Sequence, residues 1–185
     1  ECVAYDVTPA WRPVGPTMGC RCHKCNAGCR CTAGGHAECS YACPCAAAPA
    51  ACPNRRLQRG LRKRLQLFHT PAKAWCVRAA EPIMQGEFVI EYVGELISSA
   101  EAERRELLCP QSAHYMFCIG SDAKGNQAAV IDAYAVRNLA AFINFGCAPN
   151  LEMKRLPGPH GDRRFPRVAF FAKAHIKAGE ELTYR

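Results

Sequence analysis

Residues 20–52 read CRCHKCNAGCRCTAGGHAECSYACPCAAAPAAC and hold nine cysteines: Cys20, Cys22, Cys25, Cys29, Cys31, Cys39, Cys43, Cys45 and Cys52. The spacing is C-x-C-x2-C-x3-C-x-C, followed by C-x3-C-x-C-x6-C. An odd number of thiols cannot all pair as disulfides. The three C-x-C steps set neighbours too close for an easy disulfide loop but well placed to share a metal. Thiolates at such spacing bind zinc at ~2.3 Å per Zn–S bond. Nine ligands are too few for three separate four-cysteine sites. They suffice for three zincs if some sulfurs bridge two metals. The segment offers almost no apolar material for a core, so metal is expected to order it. A secreted disulfide knot is the competing reading.

Outward from this array, the chain has 185 residues and a formal net charge of +8. That length accommodates one domain with a core and a smaller module. No apolar run approaches the ~20 residues that span a membrane, and no signal peptide is visible. Metal-binding rather than oxidised cysteine implies a reducing compartment. A basic surface suits an acidic partner such as chromatin. The chain begins at Glu1 rather than Met, which is compatible with a fragment or with a removed leader.

Composition changes near residue 56. Before it lie irregular loops around metal, with Ala46, Ala47, Ala48, Pro49, Ala50 and Ala51 as a small insertion. Next come Arg55, Arg56, Arg59, Arg62, Lys63 and Arg64. This run reads either as a solvated linker or as a non-specific contact with nucleosomal DNA phosphates. Beyond it, short runs rich in Val, Ile and aromatics predict strands at 65–69, 75–78, 88–93, 116–119, 128–131 and 168–171. Residues 124–126 predict a turn. Ser98 and Glu101 form an S-x-x-E box that predicts a helix over 99–108, stopped by Pro110. A shorter helix is predicted over 138–144. Asn144 interrupts the apolar run AAFIN and needs a hydrogen-bonding reason.

The segments ECSYACPC, AWCVRAAEPIMQGEFVIEYVGELIS, VIDAYAVRNLAAFINFGCAPNLE and RFPRVAFFAKAHIKAGEELTY follow in order. Together with the cysteine array they resemble the pre-SET and SET domains of histone lysine methyltransferases of the euchromatic and Suv39 type. The resemblance covers residues 20–184. It implies a mainly β fold of small antiparallel sheets with a knot-like C-terminal crossing, preceded by an irregular three-zinc cysteine cluster. The expected division is a pre-SET zinc module at 1–63 and a SET domain at 64–185.

The activity implied is transfer of a methyl group from S-adenosylmethionine (SAM) to a lysine of the histone H3 tail, at its ninth residue. A nuclear, chromosomal location follows, with histone H3 and chromatin as partners. A catalytically weak SET scaffold that binds histone or chromatin is the alternative. By resemblance, Trp75, Asn144 and the backbone of Phe145 contact SAM. Tyr92, Tyr115 and Tyr184 line the reaction channel. Glu180 and Glu181 are expected to support a strand end rather than to do acid/base work.

Several positions depart from the family pattern. Ala74-Trp75-Cys76 stands for the usual GWG, and Phe145 for the histidine of RFINH. Weaker SAM binding is expected from these changes. The family continues past Tyr184 with Asp-Tyr and further cysteines. The resemblance thus implies a truncated sequence or a degenerate relative, with poor methyl transfer by these 185 residues. Cys147 is expected to be free or buried.

Overall fold

In the computed structural model, the described residues are 25, 38–39, 42–121, 127–156 and 165–185. Among the described residues, ten strands and one α-helix make up the regular structure beside short 3-10 turns. A hairpin pairs β1 (Leu65–Thr70) with β2 (Ala74–Ala79), from Leu65 opposite Ala79 to Thr70 opposite Ala74. β3 (Phe88–Tyr92) and β4 (Glu95–Ile97) follow, then α1 (Ser99–Leu108). β5 (Met116–Ser121), β6 (Gln127–Asp132) and β7 (Asn144–Phe145) come next. β8 (Leu151–Leu156), β9 (Arg167–Ala172) and β10 (Thr183–Tyr184) complete the order. Two antiparallel sheets have the orders β3-β9-β8 and β4-β6-β5. β7 and β10 pair in parallel, Asn144 opposite Thr183 and Phe145 opposite Tyr184.

The six predicted strands all form; β2, β6 and β9 are one residue longer at each end than read, and β3 ends one residue earlier. The runs in β3 and β9 are buried almost throughout because β9 is the central strand of its sheet. Their side chains join Val77, Ile119, Ile143 and Leu182 in the main core. The turn predicted at 124–126 lies outside the described residues. The helix forms over the predicted span, but only half of its capping box does. Ser98 Oγ accepts from Glu101 N at 3.2 Å, as an N-cap should. The Glu101 side chain turns instead to Arg104 and Arg105, whose hydrogen bonds hold its carboxyl down at about 2. The helix predicted over 138–144 is only a 3-10 turn at Leu139–Phe142. Asn138 caps it by accepting from Ala140 N, and its amide donates to the carbonyl of Glu91.

The C-terminal crossing is held on both sides. Leu182 N donates to Val77 O at 2.8 Å and Ala79 N to Glu180 O at 3.0 Å. On the other side Asn150 accepts from Thr183 N at 3.0 Å and donates to the carbonyl of Glu181 at 2.8 Å. Gly146 allows the approach: a Cβ there would lie 2.8 Å from Thr183 Cβ. Gly94 has a similar reason, since its Cβ would meet the Asp132 carbonyl oxygen at 2.3 Å. Glu180 and Glu181 are structural, as expected. Glu180 accepts from Asn150 and Lys177 N, and Glu181 pairs with Lys73.

Ala74 is the only non-glycine residue with positive φ among the described residues, at 57°. Left-handed backbone costs an L-residue ~1–2 kcal/mol. Glycine removes that cost but adds unfolded-chain entropy worth ~0.4–1 kcal/mol. Ala74→Gly is therefore expected to stabilise the chain by about 0.5–1 kcal/mol in urea titration. A destabilisation would contradict the strain argument.

Candidate metal centre and cofactor site

Among the described residues before β1, regular structure is limited to short 3-10 turns at Pro44–Ala47, Pro49–Ala51 and Leu57–Arg59. Prolines start the first two, where a missing N–H is no loss. What these turns bury is sulfur. The Sγ atoms of Cys25, Cys39, Cys45 and Cys52 all lie within 4.8 Å of one another. Cys43 is buried against Cys39 and Cys52. Cys20, Cys22, Cys29 and Cys31 lie outside the described residues.

Sulfurs sharing one tetrahedral zinc sit roughly 3.8 Å apart. Cys25 and Cys39 are 3.6 Å apart, so the donor set fits the metal in both chemistry and spacing. Burial raises the Cys45 thiol, yet its hydrogen bonds with Arg55, Cys52, Cys25 and Cys39 outweigh this and lower it.

Arg55 corrects the reading of the basic run. It is 5% exposed, with Nη2 donating to Cys45 Sγ at 3.5 Å and Nη1 to Gln58 Oε1 at 2.8 Å. It faces the cysteines, so it cannot contact phosphate. Arg59 donates to the Cys52 carbonyl, Lys63 pairs with Glu87 and Arg64 with Glu81. Leu57 packs under this segment against Phe88, Leu156, Ala169 and Phe171, joining the cysteine region to the sheets.

The second locus lies at the β7–β10 crossing. Tyr184 packs its ring 5.0 Å from Phe170, 5.8 Å from Phe117 and 6.3 Å from Phe145. Tyr92 lies 4.4 Å from Phe117 and donates its hydroxyl to the Tyr115 carbonyl at 2.8 Å. Tyr92 and Tyr184 thus both pack on Phe117, which the sequence reading had not singled out, while Tyr115 joins them through its main-chain carbonyl and sets its ring 5.8 Å from Tyr134. Tyr92 is 4% exposed, and burial pushes its hydroxyl well above the ordinary tyrosine range. Burial raises Tyr184 as well.

Beside these rings, Asn144 donates its amide to the Trp75 carbonyl and to Cys76 Sγ, both at 3.2 Å. This is the hydrogen-bonding reason its place in an apolar run required. Cys76 is fully buried where a glycine would leave room. Trp75 is 50% exposed and packs edge-on against His69 at 5.3 Å, so it is not a core residue. Phe145 is 64% exposed. Two large aromatics thus stand open next to a buried tyrosine cluster, a surface able to take a planar heterocycle.

Arg137 was not foreseen. Its guanidinium lies 4.7 Å above the Tyr115 ring, 5.6 Å from Phe142 and 5.7 Å from Tyr134. Its Nη2 donates to the Tyr134 carbonyl. Only the alternation of aromatic and basic residues in YAVR hinted at it. Cys147 is exposed and in no disulfide.

The SET domain model matches residues 74–185. Among curated proteins, the chain is 45% identical over 147 residues to histone-lysine N-methyltransferase EHMT1 of Mus musculus. That match covers 80% of this chain and 11% of the relative. It is 38% identical over 149 residues to SUV39H1 of Xenopus laevis, covering 80% of this chain and 34% of the relative. The chain therefore spans about a tenth to a third of the length of these relatives. Among solved structures, the Neurospora histone lysine methyltransferase DIM-5 superposes with a TM-score of 0.77 at 27% identity. That superposition covers 91% of this chain and 80% of the other. Arabidopsis thaliana SUVH6 in complex with SAM gives 0.75 at 33% identity, covering 96% of this chain and 43% of that one. A family model matching more than half of the chain, relatives of this identity and a shared fold lead to one conclusion: the chain belongs to the SET domain family.

Proposed function

We propose that this chain is the SAM-dependent catalytic domain of a histone lysine methyltransferase. Its proposed substrate is the H3 tail at the ninth residue, and its place is on chromatin in the nucleus. Residues 1–63 form a zinc-binding pre-SET module and 64–185 the SET domain. The observation that carries the reading is the packing of Tyr92 and Tyr184 on Phe117, with the Tyr92 hydroxyl held by the Tyr115 carbonyl, beside Asn144 and the open Trp75 and Phe145.

SAM, when bound, supplies an electrophilic methyl group on a sulfonium. Asn144, the Phe145 backbone and Trp75 would hold it. The chain's own work is to present a neutral lysine amine. The aromatic walls exclude water and disfavour an ammonium ion, lowering the lysine pKa. Arg137, a fixed cation against Tyr115, pushes in the same direction. Burial keeps the Tyr92 and Tyr184 hydroxyls protonated, as dipoles that orient the amine. Holding two reactants in line is worth several kcal/mol of barrier, up to ~7–11 kcal/mol in ideal cases. For the metal module, the nine cysteines Cys20, Cys22, Cys25, Cys29, Cys31, Cys39, Cys43, Cys45 and Cys52 would hold three structural zinc ions.

One observation favours the scaffold reading. Cys76 brings a sulfur to Asn144 that the family's glycine lacks, and Ala74 adds a methyl on the same strand. Calorimetry tests whether the cofactor site survives these changes. A measurable heat is expected with SAM, weaker than in relatives with GWG, and Asn144→Ala is expected to abolish it because Trp75 loses its tie to β7. Unchanged binding in that variant would remove Asn144 from the site. If methyl transfer is found, Tyr184 limits it: its hydroxyl crowds the amine, and mono-methyl product dominates. Tyr184→Phe is expected to shift product toward di- and tri-methyl lysine by mass spectrometry. Tri-methyl product from the unsubstituted protein would contradict that role.

A further inference from the structure

The metal reading leaves a charge unexplained. Nine thiolates outweigh three Zn²⁺, so the cluster as a whole is negative. Its neighbours among the described residues include one deeply buried cation, Arg55, at 5% exposure. A guanidinium is costly to bury without a negative partner in contact. Arg55 Nη2 reaches the sulfur of Cys45, 3.5 Å away. The head group is held in place. Gln58 Oε1 accepts from Nη1 at 2.8 Å, and the Gln58 amide donates to the Cys39 carbonyl at 2.8 Å and to Glu38 at 3.1 Å. Arg55 N also donates to the Cys52 carbonyl at 3.3 Å. Gln58 and the main chain of two metal-binding cysteines therefore aim this guanidinium at the thiol of a third.

We propose that Arg55 is an outer positioning residue of the zinc–thiolate cluster, whose guanidinium hydrogen-bonds the Cys45 sulfur and slows loss of zinc. The proposal rests on the reading of these cysteines as a zinc site. A hydrogen bond to a bound thiolate withdraws electron density from sulfur. It makes the sulfur a poorer nucleophile toward electrophiles, and the added positive charge offsets the excess of thiolates.

The test uses the full chain loaded with zinc. Elemental analysis first counts zinc in the unsubstituted protein. Zinc release is then followed with a chromophoric indicator, under excess chelator and under N-ethylmaleimide, for Arg55→Met and Arg55→Lys. Outer partners of metal ligands are worth roughly 10–100-fold in retention. Arg55→Met is expected to start with the same zinc content and to release it ~10-fold faster by both routes. Arg55→Lys, which keeps the charge but not the reach, should fall between. If Arg55→Met does not fold, Gln58→Leu takes its place. It frees the guanidinium from its tether and should also speed release. Release at the unsubstituted rate in the variant used would overturn the proposal alone. Lys as fast as Met, with an equally lowered melting temperature, would do the same by reducing Arg55 to packing. No zinc in the unsubstituted protein would overturn the metal reading and this proposal together.

Discussion

Stripping zinc with a strong chelator is expected to unfold the segment before β1 while leaving the sheets folded. The effect should be all-or-none for that segment. Its turns bury Cys39, Cys43, Cys52 and Leu57, and apart from Leu57 these are thiols rather than apolar side chains. Structural zinc contributes an apparent ~10–16 kcal/mol to such modules, which no contact among the described residues replaces. The sheets have their own core, built on Val77, Val89, Phe170 and Leu182. Among the described residues, they lose the packing of Leu57, the stacking of Arg56 on Phe171, whose ring it overlies at 5.2 Å, and the ion pairs of Glu38 with Arg167 and of Lys63 with Glu87. Amide hydrogen exchange checks this directly. Protection should vanish before residue 60 and persist in β3 and β9. Elemental analysis should give about three zincs per chain, on the bridging argument. One zinc or none, with cysteines oxidised, would contradict the cluster.

Arg105→Ala is expected to be strongly destabilising. Arg105 Nη1 lies 2.8 Å from Asp132 and 2.7 Å from Glu95, and Nε lies 2.9 Å from Glu101. The Asp132 side chain is 2% exposed and accepts from Tyr134 N at 2.8 Å. Removing Arg105 strands a buried carboxylate without its cation, which costs roughly 3–5 kcal/mol. Asp132→Ala should cost less, because Arg105 keeps two carboxylates. Chemical denaturation of both variants decides it. A larger loss for Asp132→Ala would mean that the turn contact with Tyr134, not the ion pair, carries the stability.

The sequence made some of this visible for physical reasons. Thiol spacing announces a shared metal because few other groups gain from such crowding. Strands rich in Val, Ile and Phe announce themselves because burial selects those side chains. β8 did not, because LEMKRL alternates charge and becomes a strand only by pairing with β9. β4, β7 and β10 are two or three residues long, and their pairing is a tertiary event that no local pattern encodes. The predicted helix at 138–144 stops after a 3-10 turn because Asn144 and Phe145 are taken into parallel pairing with β10. Arg55 and Arg137 were legible only as charge. One faces sulfur and the other aromatic rings, and each contact depends on a neighbour distant in sequence or across a loop. Tyr92, Tyr115 and Tyr184 could be named by resemblance, whereas Phe117 among them required the register of β5 on β6.

The most direct test of the central claim is mass spectrometry of a histone H3 tail peptide. The peptide is incubated with SAM and the natural protein that carries this domain. The account predicts a methyl gain confined to lysine, chiefly mono-methyl, at the ninth residue, and absent when that lysine is replaced by arginine. SAM binding with no methylated lysine on the peptide would contradict it and leave a SET scaffold.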